Sequence, residues 1–293
     1  MSDPLGKLFE DFVKERIYLH NVTPKTQAWY ACAWKAFKSS GAVSDGVAGL
    51  TKAHLQTFVI QTRNRCVSAR TINTYLQALN AFARWLCVEG HQPNLVRVPL
   101  LRTEKRIVEI LSDAQIQQLV RFKPQGFSQQ RVHMLDCLLL DTGIRIDEAL
   151  RLEDSDVDLD NLLVTVFGKG RKERRIPISF ECRKLLFRFL RHRERANVSG
   201  SLIFASRRGT KWVQRNALRS HYMLLERIAI PRCGFHRLRH TFATSYLRAG
   251  GEVVRLSRML GHTSISTTLK YEHLQIEDLK TAHHRLSLLN RLR

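Results

Sequence analysis

Between His91 and Ile110 the chain changes character, and that break constrains the fold more than any other feature. Pro93, Pro99 and the basic run Arg102, Lys105 and Arg106 fall in a stretch with no helical stripe, which reads as an extended linker. Apolar side chains before it recur at helical spacing. After it, helical patterns alternate with short β-rich runs. The break predicts two domains, 1–104 and 105–293, and a length of 293 residues fits two domains of about 150 each.

The first domain reads as helical throughout. Thr23 and Pro24 form an N-cap followed by proline at the first helical position, with Trp29, Cys32, Ala36 and Phe37 at helical spacing before Gly41. Thr51 can cap a short helix that buries Leu55, Phe58 and Val59. Ser68 can cap a longer one in which Ile72, Tyr75, Leu76, Leu79, Phe82, Ala83 and Leu86 recur at three and four. Arg63, Arg65 and Arg70 cluster where that helix begins; solvated surface and phosphate contact are both open for them.

The second domain opens with a capping box, Ser112 with Gln115. Helical patterns cover 129–140, 180–195, 213–228, 236–248, 252–260 and 265–274. Leu162–Phe167 and Arg175–Ile178 are β-rich runs around Gly168-Lys169-Gly170, a hairpin with a longer loop. The expected fold is mainly α with a small antiparallel β-sheet in the C-terminal domain.

Composition narrows the partners. Forty-eight Lys+Arg against 26 Asp+Glu give a formal net charge of +22, spread along the chain, which suits nucleic acid better than a membrane surface. The most apolar stretch, Val132–Leu140, is broken by His133 and Asp136, and the N-terminus lacks a signal-peptide core, so a cytoplasmic protein without membrane contact is expected. The six cysteines contain no Cys-x-x-Cys pair and read as reduced, mostly buried thiols.

Three segments carry chemistry. In Thr142–Leu150 a turn glycine precedes Arg145 at the start of a helix, with Glu148 three residues on and on the same face; alone, such a pair is more often a surface ion pair. In His236–His240, His236 shares a face with Arg239 and with His240. A zinc protease helix would need glutamate where Arg237 stands, and two arginines would repel the cation, so no metal is expected. A guanidinium fork beside an imidazole suits a phosphate instead. In Leu260–Tyr271, Gly261 closes one helix, His262 sits in the turn and Tyr271 lies on the next helix, where a tyrosine alone would be core. Together Arg145, Lys169, His236, Arg239, His262 and Tyr271 supply two forks, two imidazoles, an ammonium and a phenol. That set can attack a phosphodiester without metal or other cofactor.

These three segments, in their order and spacing, resemble the signature boxes of the tyrosine recombinase (phage integrase) family, and the likeness extends over essentially the whole chain. Gly168-Lys169-Gly170-Arg171-Lys172 followed by Arg175-Ile-Pro-Ile is similar to that family's hairpin. The resemblance implies a helical core-binding domain and an α+β catalytic domain that clamp double-stranded DNA. Tyr271 would attack the scissile phosphate to form a 3′-phosphotyrosine. Arg145 and Arg239 would hold the phosphate, His262 would hydrogen-bond it, His236 would act as base or donor, and Lys169 would be the general acid. Glu148 would orient its neighbours. Arg63, Arg65, Arg70, Arg102, Lys105, Arg106, Arg171 and Lys172 are the expected DNA contacts.

The family works as tetramers through a Holliday junction. Leu279, Ala282, Leu286 and Leu289 form one apolar stripe on a tail helix too short to stand alone, for which docking on its own domain and docking elsewhere are both open; the resemblance implies packing on a neighbouring protomer. With no extra N-terminal domain, the chain resembles the compact Xer-type and simple transposon or phage enzymes. The alternatives are a relaxing type IB topoisomerase and a catalytically silent DNA-binding regulator.

Overall fold

The computed structural model describes residues 3–43, 49–104, 109–168, 172–262, 264 and 268. The chain divides into two compact units, Met1–Arg106 and Ile107–Arg293.

In the first unit, α1 (Pro4–Tyr18), α2 (Pro24–Ser39) and α3 (Lys52–Asn64) pack around α4 (Ala69–Val88). Side-chain caps start each helix. Asp3 accepts from Gly6, Thr23 from Thr26, Thr51 from His54 and Ser68 from Thr71, which satisfies amide groups that have no partner within the helix. The α4 stripe is the core: Ile72, Leu76, Leu79, Phe82, Ala83 and Leu86 are fully buried. Rings from α1 and α2 close over it. Phe9 stacks on Trp34 at 4.4 Å and meets Phe82 edge-on at 5.1 Å. Helix α1 lies where no pattern was assigned, and one expectation changes: on α2 the buried positions are Tyr30, Ala33 and Phe37, one helical face, whereas Cys32 is exposed. The linker is also less free than its composition suggests. Asn80 exchanges two hydrogen bonds with the backbone of Val98 (2.9 and 3.2 Å), and Asn73, two turns earlier on α4, exchanges two with Leu101 (both 2.8 Å). Those amides replace a missing strand partner, so the extended backbone is docked along α4.

The second unit is built on α6 (Gly126–Thr142), which is buried on all sides. Around it lie α5 (Asp113–Arg121), α7 (Ile146–Ala149), α8 (Phe180–Arg195), α9 (Gln214–Arg227) and α10 (Phe235–Arg248), and α11 (Val253–Leu260) packs on α10. The capping box Ser112–Gln115 forms at the start of α5. Even the guanidinium of Arg131 on α6 is buried, with its Cζ 3.9 Å from the Trp212 ring centroid. The antiparallel sheet has the order β1 (Val157–Asp158), β2 (Leu163–Phe167), β3 (Glu173–Pro177), and β1 was not expected. Val164 pairs with Ile176 and Val166 with Arg174, so the inward face of β2 and β3 carries Val164, Val166, Ile176 and Arg174. Helix α6 is longer at both ends than the 129–140 pattern. Apart from Thr268, the expected helix at 265–274 and the tail stripe lie outside the described residues.

All six cysteines are free, but only Cys137, Cys182 and Cys233 are buried, so the expectation of mostly buried thiols holds for half of them. No helix among the described residues is long and apolar enough to cross a membrane.

Candidate active site

The site gathers on the C-terminal end of α11. That helix ends at Leu260, and its last carbonyls have no partner within the helix and carry the negative end of the helix dipole. Three guanidiniums take up three successive carbonyls. Arg174 Nε donates to Met259 O at 2.8 Å, Arg239 Nη2 to Leu260 O at 2.8 Å and Arg145 Nη2 to Gly261 O at 3.3 Å. Residues far apart in sequence are thus held together by one stretch of backbone.

Each arginine reaches the site by a local device. Gly143 ends α6 in the left-handed region at φ +64°, and a Cβ there would strike the Phe242 ring, so the turn lets α10 lie close and presents Arg145 at the start of α7. Arg239 lies on α10, almost completely buried, and also donates to Gly143 O at 2.6 Å. Arg174 points inward because it shares the face of Ile176 on β3. Gly261, at φ +62°, sits against that side chain; a Cβ would lie 3.0 Å from Arg174 Cζ.

Glu148 is the carboxylate in contact with this cluster among the described residues. Its Oε2 accepts from Arg145 N at 2.7 Å and Arg174 Nη2 at 2.8 Å; its Oε1 accepts from Arg145 Nη1 at 3.1 Å and Arg174 Nη1 at 3.0 Å. Burial opposes its charge, but hydrogen bonds from Arg174 and Arg145 hold its carboxyl below the usual range. The Arg145–Glu148 pair is therefore no surface ion pair, since the Glu148 side chain is only 6% exposed.

The imidazoles are kept neutral. Burial first, then the charges of Arg239, Arg145 and Arg174, pulls His262 down to about 4. Its Nε2 lies 3.0 Å from Arg239 Nη2, and its Nδ1 lies 2.8 Å from Thr268 Oγ1. A guanidinium can only donate, so Nε2 accepts and Nδ1 carries the hydrogen toward the threonine. His236 is exposed on the first turn of α10, and partial desolvation, then the Arg239 and Arg145 charges, lower its pKa. His240 packs edge-on against it at 4.9 Å and is pulled down to about 4 by burial and by His236.

The structure thus brings together Arg145, Glu148, Arg239 and His262, with His236 alongside. Lys169, Arg171, Lys105, Arg106 and Tyr271 lie outside the described residues. Arg63, Arg65, Arg70, Arg102 and Lys172 are exposed. Arg65 also donates to Ser39 O at 2.9 Å, which closes the end of α2. Two participants were missed. Arg174 had a signal, since it shares the parity of Ile176 in the β-rich run. Thr268 is fully buried against His262 and had none beyond its place in a Ser/Thr-rich segment.

Comparison with known proteins identifies the family. The profile of the phage integrase family matches residues 109–278. The chain is 29% identical over 298 residues to tyrosine recombinase XerA of Thermococcus kodakarensis, covering 100% of this chain and 99% of that one. It is 30% identical over 258 residues to tyrosine recombinase XerC of Bacillus subtilis, covering 82% and 84%. In fold it matches the Tn1549 transposon integrase in complex with transposon right end DNA at a TM-score of 0.80, with 19% identity over 97% of this chain and 99% of that one. A lambda integrase dimer bound to a core site matches at 0.72, with 16% identity over 91% and 94%. The chain belongs to the phage integrase family, the tyrosine recombinases.

Proposed function

We propose that this protein is a site-specific DNA recombinase that cuts and rejoins DNA through a 3′-phosphotyrosine and a Holliday junction, without ATP or metal. One observation carries the reading: Arg145, Arg174 and Arg239 meet on successive carbonyls of α11 beside neutral imidazoles, with Glu148 as the carboxylate among them. Such a cluster of preorganised donors suits a phosphate whose charge grows in the transition state.

In this mechanism the Tyr271 oxygen bonds to phosphorus as the bond to the 5′ oxygen breaks. His236, neutral and exposed, takes the phenolic proton. Arg145 and Arg239 neutralise the non-bridging oxygens, and the Nδ1–H tautomer of His262 keeps its ring oriented toward Arg239. Lys169 gives the departing 5′ oxygen its proton. The 5′ hydroxyl of a partner strand then attacks the phosphotyrosine and releases the phenol, so the number of phosphodiester bonds is conserved. The first unit serves as a core-binding domain, with Arg63, Arg65, Arg70, Arg102, Lys105 and Arg106 on the DNA backbone, and the second unit adds Arg171 and Lys172. The tail, through Leu279, Ala282, Leu286 and Leu289, joins protomers into a tetramer on two sites.

A suicide substrate nicked beside the cleavage site tests the chemistry. The parent should become covalently trapped, and Tyr271→Phe should bind equally well with no trapping. Trapping that survives in the variant would move the nucleophile elsewhere. Trapping without any exchange between two sites would favour a relaxing topoisomerase, and binding without trapping would favour a silent regulator. Truncation before Leu279 should leave half-site binding nearly intact and sharply reduce pairing of two full sites and strand exchange.

A further inference from the structure

Helix α10 carries both His236 and Arg239, yet Gly234 at its start offers no side-chain cap. What holds that start is a fully buried histidine on α9. His221 Nε2 lies 2.9 Å from the carbonyl of Cys233, and its Nδ1 lies 2.8 Å from Asp136 Oδ2 on α6. Its ring packs against Phe235 with centroids 4.7 Å apart. Both His221 and Asp136 have completely buried side chains. The Cys233 carbonyl can only accept, so Nε2 must carry hydrogen, and the second proton lies between Nδ1 and the carboxylate. Burial opposes charge on the ring, but Asp136 outweighs it and raises the His221 pKa.

Burying two polar groups between α6 and α9 costs desolvation energy that their mutual pairing and the hydrogen bond to Cys233 offset only in one geometry. The geometry here is the path of Cys233, Gly234 and Phe235, the three residues before His236. We propose that His221, oriented by Asp136, is a positioning residue for strand cleavage: its Nε2–H fixes the start of α10 and so sets His236 and Arg239 against the phosphate. The arrangement follows the logic by which a carboxylate fixes the tautomer of a histidine, here aimed at a backbone carbonyl rather than a nucleophile. This inference rests on the recombinase reading.

The test compares His221→Phe, which keeps the ring without donors, with His221→Gln, whose amide can reach the Cys233 carbonyl. His221→Phe should slow formation of the covalent complex at least tenfold while half-site affinity stays within threefold. His221→Gln should recover most of the rate. In a His236→Ala background the His221→Phe effect should be smaller than in the parent, because the share that acts through His236 is already lost while the share that acts through Arg239 remains. Equal losses in both backgrounds, with glutamine no better than phenylalanine, would overturn the proposal and leave a merely structural pair. Nitrogen NMR of histidine-labelled parent protein gives a readout that needs no variant to fold: Nε2 of His221 should carry a slowly exchanging proton at neutral pH, and a bare Nε2 would overturn the proposal. If the parent forms no covalent complex, the recombinase reading fails, and with it the role in cleavage; the nitrogen spectrum still decides whether His221 holds the start of α10.

Discussion

Arg239 Nη2 stands 3.0 Å from Nε2 of His262, and the opposite ring nitrogen stands 2.8 Å from Thr268. The threonine therefore selects which nitrogen of the imidazole faces the guanidinium. Thr268→Val removes that acceptor while keeping the shape. The expected result is a cleavage rate at least tenfold lower with unchanged DNA affinity, read by single-turnover trapping. Parental rates would show that the ring is oriented by its other neighbours.

Glu148 ties Arg145 to Arg174, and the Glu148–Arg174 pair is largely buried. Glu148→Gln leaves two guanidiniums facing an amide, and removing one partner of a buried pair costs about 3–5 kcal/mol. A large fall in the unfolding midpoint, together with loss of trapping, is the expected outcome in thermal denaturation and suicide-substrate assays. A stability within about 1 kcal/mol of the parent would mean that the guanidiniums find other acceptors.

Gly261 combines a left-handed backbone with contact against Arg174. A non-glycine residue there meets a conformational cost of about 1–2 kcal/mol. It also pushes the Arg174 guanidinium away from Glu148. Gly261→Ala should therefore lose more cleavage activity than stability alone accounts for, whereas an alanine at the exposed turn Gly90, where nothing lies near the Cβ, should lose stability only. Equal activity in the two variants would count against the coupling.

Acid should destabilise the DNA-free protein between pH 6.5 and about 4. His240 and His262, both pulled down to about 4 from 6.5, bind fewer protons folded than unfolded in that window, so unfolding takes up protons and stability falls with pH. Glu148, held below 4.5, contributes only at still lower pH. His221 acts in the opposite sense: its stabilisation is full below 6.5 and is lost only as pH rises through its raised value. Melting temperatures measured from pH 7 to 4.5 should fall steadily, and His240→Gln should flatten the slope. A melting temperature that rises on acidification would contradict the assignment.

For Lys169 the expectation is chemical. Lys169→Ala should cleave normal DNA slowly and recover on a substrate with sulfur at the bridging 5′ position, since a thiolate leaves without a proton. Equal defects on both substrates would point to another acid.

Local chemistry made the helix starts legible. Thr23, Thr51, Ser68 and Ser112 each bond to an amide three residues on, an interaction that depends on nothing beyond the turn itself. The stripe of α4 and the arginine and histidine boxes were legible for the same reason: their spacing carries their meaning. Tertiary structure decided what spacing cannot encode. Which face of α2 is buried depended on where α1 and α4 placed their rings, and there Tyr30, Ala33 and Phe37 prevailed over Cys32. Arg174 became part of the site because an antiparallel strand brought it to Glu148, 26 positions away, and His221 reached Asp136 across 85. Buried ions and their partners are chosen by the neighbours that desolvate them, and those neighbours come from distant segments that only the folded chain brings together.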